Sequence, residues 1–133
     1  MRRSESGAVT AFVVVFAFTL LLVAGLVIDG GFLLAARRQA INEAEAASRA
    51  GAQAVVSPSS SKLDPVDARR LALAYLVQTG HEGTVTTNGD TITVEVSFER
   101  PMTILGAGGL KSVTVHGRGN AHGLRGITRE GDL

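Results

Sequence analysis

Cysteine and tryptophan are absent from the 133 residues, and the aromatic content is five Phe and one Tyr. Without cysteine there is no disulfide framework and no thiolate metal site, so a domain outside the cytoplasm must be held by packing alone. With so few aromatics, stacking platforms for bases are lacking as well. Charge is scarce too: Asp, Glu, Lys and Arg make up 19% of the chain, and the formal net charge is +1. That balance leaves no basic stripe to neutralise phosphates and argues against nucleic acid as a partner.

What is present is one long uncharged stretch. Residues 8–28, from Ala8 to Ile28, read AVTAFVVVFAFTLLLVAGLVI. At ~1.5 Å of rise per residue a helix of that length reaches about 30 Å, the thickness of a bilayer's hydrocarbon. Thr10 and Thr19 can return their hydroxyls to the preceding turn, and Gly25 is tolerated in lipid. A cleaved secretory signal would have an apolar region of roughly 7 to 15 residues and a small-residue cleavage site. Here the run is longer and Val23-Ala24-Gly25 is a poor site, so an uncleaved anchor is the preferred reading. A core helix apolar on all faces would need a larger protein around it. The rest of the chain is too polar to enter a membrane again, and one pass is expected. Arg2 and Arg3 precede the span, whereas Arg37 and Arg38 come well after it, which sets the N-terminus inside and the longer C-terminal part outside.

In chain order, residues 1–7 form a basic leader, residues 8–28 the span, and residues 29–56 the outer half of one long helix. Ala dominates this outer half, no Pro interrupts it, and Glu45 stands four residues before Arg49, a favourable helix pair. Gly30 and Gly31 are a candidate flexible point. Ala36, Ala40, Ala44, Ala47, Gly51 and Ala54 recur in steps of four or three and form one small-residue stripe, which lets another element approach closely. Residues 57–121 read as an extracytoplasmic α+β head, and residues 122–133 as a loose tail.

The head begins with the loop SPSSSK. Asp64 is an N-cap, with Pro65 at the first helical position and Gly80 at the far end, so a helix spans residues 65–79. Ala68, Leu71, Ala72, Tyr75 and Leu76 give it one apolar face. Two strands then flank Asn88-Gly89, which predicts a type I′ hairpin with Thr87 opposite Asp90 and Val85 opposite Ile92. Ile92, Val94, Val96 and Phe98 alternate with polar residues, so one side of the sheet is apolar. After the Gly-rich connection MTILGAGGL, residues 112–116 supply a third strand. A three-stranded sheet with one apolar face needs a cover, and the short helix and the outer half of the long one are available. The expected fold is α+β, on the plan of a pilin.

Signals for chemistry are weak. His81, His116 and His122 have no carboxylate or second His at ligand spacing and read as surface residues rather than a metal site. Residues 106–109 lack the strand-loop-helix context of a phosphate loop, and residues 59–61 have no general base nearby in a motif. No catalytic residue, metal, cofactor or small-molecule substrate is expected. Asp29 ends the apolar run and either pairs with a partner's cation in the membrane or marks the headgroup level.

The N-terminal third resembles the TadE/TadG-like family of tight-adherence (Flp-type) pilus assembly proteins. The residues that carry it are Arg2, Arg3 and Gly7; then Gly25, Asp29 and Gly31 in the pattern Gly-x-x-x-Asp-x-Gly; then Arg37, Arg38 and the Ala-rich run from Gln39 to Gln53. The resemblance implies a bitopic, non-enzymatic envelope protein that partners other membrane proteins of a pilus or secretion system. Gly7 is either a prepilin-type processing point or a small residue at a helix start. Members cut by a prepilin peptidase carry Glu at the fifth position after the Gly, and Phe12 stands there. The mature chain is therefore expected to begin near Met1. The alternative to a pilus component is a membrane-tethered binding module whose helix is only an anchor.

Overall fold

The computed structural model describes residues 3–124, with side chains described from Gly7 onward. Its elements in order are α1 (Arg3–Gly51), α2 (Pro65–Thr79), β1 (Glu82–Asn88), β2 (Thr91–Pro101), a 3₁₀ turn (Leu105–Gly108) and β3 (Ser112–His122). The fold is α+β, with one antiparallel sheet in the order β1-β2-β3. The chain divides into two compact units. One contains the part of α1 up to Leu34 together with Arg100–Val113, and the other contains Ala35–Glu99 and the chain from Thr114.

In the second unit, local chemistry sets α2. The Asp64 carboxylate accepts the Val66 and Asp67 N–H groups at 2.9 and 3.0 Å, a cap that contributes about 1 kcal/mol. At the other end Gly80 takes φ 77° and donates its N–H to the Leu76 carbonyl, the left-handed stop that glycine adopts without strain. Ala68, Ala72 and Leu76 are buried beneath it. They meet Ile92, Val94 and Val96 of β2, with Ala44 and Ala47 of α1 and Leu63 of the connecting loop in the same core. Each fully buried Val, Leu or Ile contributes roughly 1.5–3 kcal/mol relative to exposure.

Three details depart from the sequence expectation. The hairpin pairs Asn88 with Thr91 and Val85 with Val94, two residues away from the expected register. A two-residue shift leaves every side chain on its face, so the apolar side is unchanged. Gly89-Asp90 makes the turn, and φ is positive at Gly89 but not at Asp90; that is the II′ pattern, with Gly first, and not I′. Second, α1 ends at Gly51 and not near Val56. Residues beyond Gly51 tighten into a turn, and Val55 bridges Leu63, so those backbone groups serve the loop. Third, β3 continues to His122, well past His116, and Gly123 donates its N–H to the Asp90 carbonyl. Residues 125–133 of the expected tail lie outside the described residues.

In the first unit α1 passes through Gly30 and Gly31 without a break. Its large apolar side chains from Val9 to Ile28 face outward, Phe12 and Phe16 stack at 6.1 Å, and the Thr19 hydroxyl donates to the Val15 carbonyl. This is one helix long and apolar enough to cross a membrane.

Candidate functional site

Gly25 and Asp29 lie four residues apart and so share a helix face. The loop between β2 and β3 covers that face. Asp29 is only 2% exposed. Its carboxylate accepts the backbone N–H of Thr103 at 3.1 Å, of Ile104 at 2.9 Å and of Leu105 at 2.7 Å. The 3₁₀ turn that follows has no side-chain cap of its own, so a carboxylate from another element supplies one. At Gly25 the Ile104 side chain lies 2.6 Å from where a Cβ would stand, so any larger residue would have to push Ile104 aside. Gly25 and Asp29 thus form one receptor for residues 103–105. The Leu105 amide, joined by those of Thr103 and Ile104, holds the carboxyl below its ordinary value against the desolvation of burial. The cap is therefore complete above the ordinary carboxylate range and is lost only as pH falls through the lower folded value.

Asp29, one residue past the apolar run, binds the loop through these three amides. Asp29→Ala is expected to speed hydrogen exchange at Thr103, Ile104 and Leu105 many-fold while amides of β1 keep their protection. Exchange mass spectrometry on the detergent-solubilised chain checks this, and unchanged protection of the three amides would contradict the assignment.

The small-residue stripe lies wholly in the second unit. Ala36, Ala40, Ala44, Ala47 and Gly51 of α1 and Ala54 just beyond it are buried. What covers Ala40 and Ala44 is β3: a Cβ at Gly117 would overlap the backbone of Ala40 and Ile41, and one at Gly119 the backbone of Ala44 and Glu45. Gly51 sits against Ile92 and Ala68. Ala8 and Ile28 are exposed at the ends of the apolar run, and at Gly7 the helix passes through open space.

Two groups escaped the sequence reading. His81 is not a bare surface residue: its Nδ1 lies 2.7 Å from Glu43 Oε2, and its ring stacks on Phe98 at 4.1 Å. Gln39 donates to the other Glu43 oxygen at 2.8 Å. The partners are 38 positions apart, beyond any local spacing signal. Second, a cleft of about 740 Å³ is lined by Arg37, Glu82, Glu95, His116 and Arg118 among others, with Arg118 and Glu95 paired at 3.2 Å. Among the described residues no three His, Asp or Glu side chains gather as metal ligands.

Residues 7–54 match the Tad family of TadE/G-like Flp pilus-assembly proteins. The match covers the apolar run and the Ala-rich helix, including Gly25, Asp29, Gly31, Arg37 and Arg38 of the sequence resemblance, while Arg2 and Arg3 lie before it. No curated protein and no solved structure matches the chain.

Proposed function

We propose, on the premise that residues 7–54 are a TadE/G-like Flp pilus-assembly segment, that this chain is a minor-pilin-like, non-catalytic component of a Tad/Flp-type pilus assembly or related secretion system. The single observation that carries the reading is the extent of that match, which joins the apolar run to the helix beyond it. Residues 8–28 anchor the chain once in the membrane, with the N-terminus cytoplasmic and the head outside. Partners are other membrane proteins of the assembly, which meet the outward apolar side chains of the span. In the head, the stripe of α1 is already occupied by β3 and α2, so its role there is internal packing.

The chain is expected to fractionate with membranes, to be released by detergent but not by high salt, and to expose its head to protease from outside. A photo-crosslinker at Phe16 in the native host is expected to trap a polytopic membrane protein of the assembly, and deletion to abolish piliation or secretion. Normal piliation and secretion after deletion, with crosslinks to lipid alone, would overturn the proposal. That result would favour the membrane-tethered binding module, for which the cleft beside Arg37 and Glu82 is the supporting observation.

A further inference from the structure

The loop between β2 and β3 has no charged side chain from Pro101 to Leu110, with Arg100 before it and Lys111 after it. We propose that residues 102–110 form a second, non-spanning membrane contact, seated in the phospholipid interface beside the end of the span. The proposal rests on the reading of residues 8–28 as a membrane span.

Depth is the first reason. Ile104 lies against Gly25, four residues and therefore ~6 Å of helix rise before Asp29. A side chain in contact with the span at that level is inside the apolar boundary. The second reason is the backbone. Irregular backbone is tolerated at membrane depth only where its polar groups are satisfied within the protein. Asp29 takes the amides of Thr103, Ile104 and Leu105. Met102 donates to Lys111, Ala107 to Ile104, Gly109 to Gly106 and Leu110 to Leu105. In water such a loop needs no buried carboxylate, because solvent would serve the same amides at no desolvation cost. Next to lipid the carboxylate replaces that solvent.

Side chains agree. Ile104, Ala107 and Leu110 are exposed, whereas Met102 is buried. Arg100 stands over the Phe32 ring at 5.8 Å, one turn past Asp29. An aromatic ring and a cation at one level suit the headgroup region, where long basic side chains reach phosphate while their stems stay apolar. Continuity with the span and a cation at each end of the loop commit the occupant to a bilayer rather than a second protein.

Because the chain has no cysteine, Phe16→Cys, Asn88→Cys, Ala107→Cys and Leu110→Cys can each carry one nitroxide in the full-length protein. In vesicles of phosphatidylethanolamine and phosphatidylglycerol, collisions with oxygen and with a water-soluble nickel chelate report depth. Labels at 107 and 110 are expected to favour oxygen, as at 16, and the label at the exposed hairpin residue 88 to favour nickel. Adding Asp29→Ala is expected to shift the label at 110 toward nickel while that at 16 keeps its value. A lipid signal at 16 with aqueous signals at 107 and 110 overturns the loop contact and leaves the span intact. Aqueous signals at all four positions overturn both. A label at 110 that Asp29→Ala fails to move overturns the role given to the carboxylate.

Discussion

Gly119→Val is expected to unfold the second unit or bring it close to unfolding. The inner face of β3 reads Val113, Val115, Gly117, Gly119, Ala121, shrinking where the strand crosses α1. A Cβ at Gly119 meets the backbone of Ala44 and Glu45. A flexible side chain could swing aside, but helix backbone cannot, so strand and helix must separate and the neighbouring core contacts loosen with them. Overpacking typically costs 1–3 kcal/mol, and an obstacle made of backbone places this site at about 3 kcal/mol or above. Against a typical domain stability of about 5–15 kcal/mol, that is a large fraction. The measurement is the urea midpoint, supported by protease resistance of the head. Asn120→Val, on the exposed side of the same strand, is the control and is expected to be neutral. Equal midpoints for the two variants would mean that the close approach does not exist in solution.

The same strand shows what sequence reading can and cannot recover. Helix α2 was legible from end to end because Asp64, Pro65 and Gly80 each act within a few residues of themselves. The apolar face of β2 was legible from its period of two. Glycine carries neither hydrophobicity nor strand preference, so the expected strand stops at His116 although Gly117 and Gly119 alternate with His116, Arg118 and Asn120 in the strand manner. Their meaning lies in Ala40 and Ala44, more than 70 positions earlier. The expected hairpin register differs from the observed one by two residues because Asn88-Gly89 and Gly89-Asp90 are both turn dipeptides and the periodicity accepts either. Asp29 stands out in the sequence as the carboxylate that ends the apolar run, but its partners lie 74–76 positions away. A carboxylate that caps a distant turn leaves no local spacing to find. A clue is its neighbour on the same face, Gly25, a small residue among large apolar ones.

Gly51 provides a test whose sign separates two accounts of the small-residue stripe. If the stripe is only helix-forming composition, Gly51→Ala should stabilise the head, since Ala exceeds Gly in a helix by roughly 0.5–1 kcal/mol. In the structure a Cβ at Gly51 would overlap the tip of Ile92 and stand 2.8 Å from the Ala68 carbonyl oxygen. The Ile92 side chain is fully buried and tightly surrounded, and the carbonyl belongs to α2, so neither gives way freely. Overpacking of about 1–3 kcal/mol exceeds the propensity gain, and Gly51→Ala is expected to lower the urea midpoint in spite of it. Gly51→Leu should lower it further, and Ala47→Leu likewise, because Ala47 is fully buried in the same core. Gln39→Leu is a poor control, since the Gln39 amide orients Glu43 toward His81. Asn42→Leu, exposed on the opposite side of α1, serves instead and is expected to stay within about 0.5 kcal/mol of the parent. A midpoint that rises for Gly51→Ala would restore the compositional account and remove the packing role from the stripe.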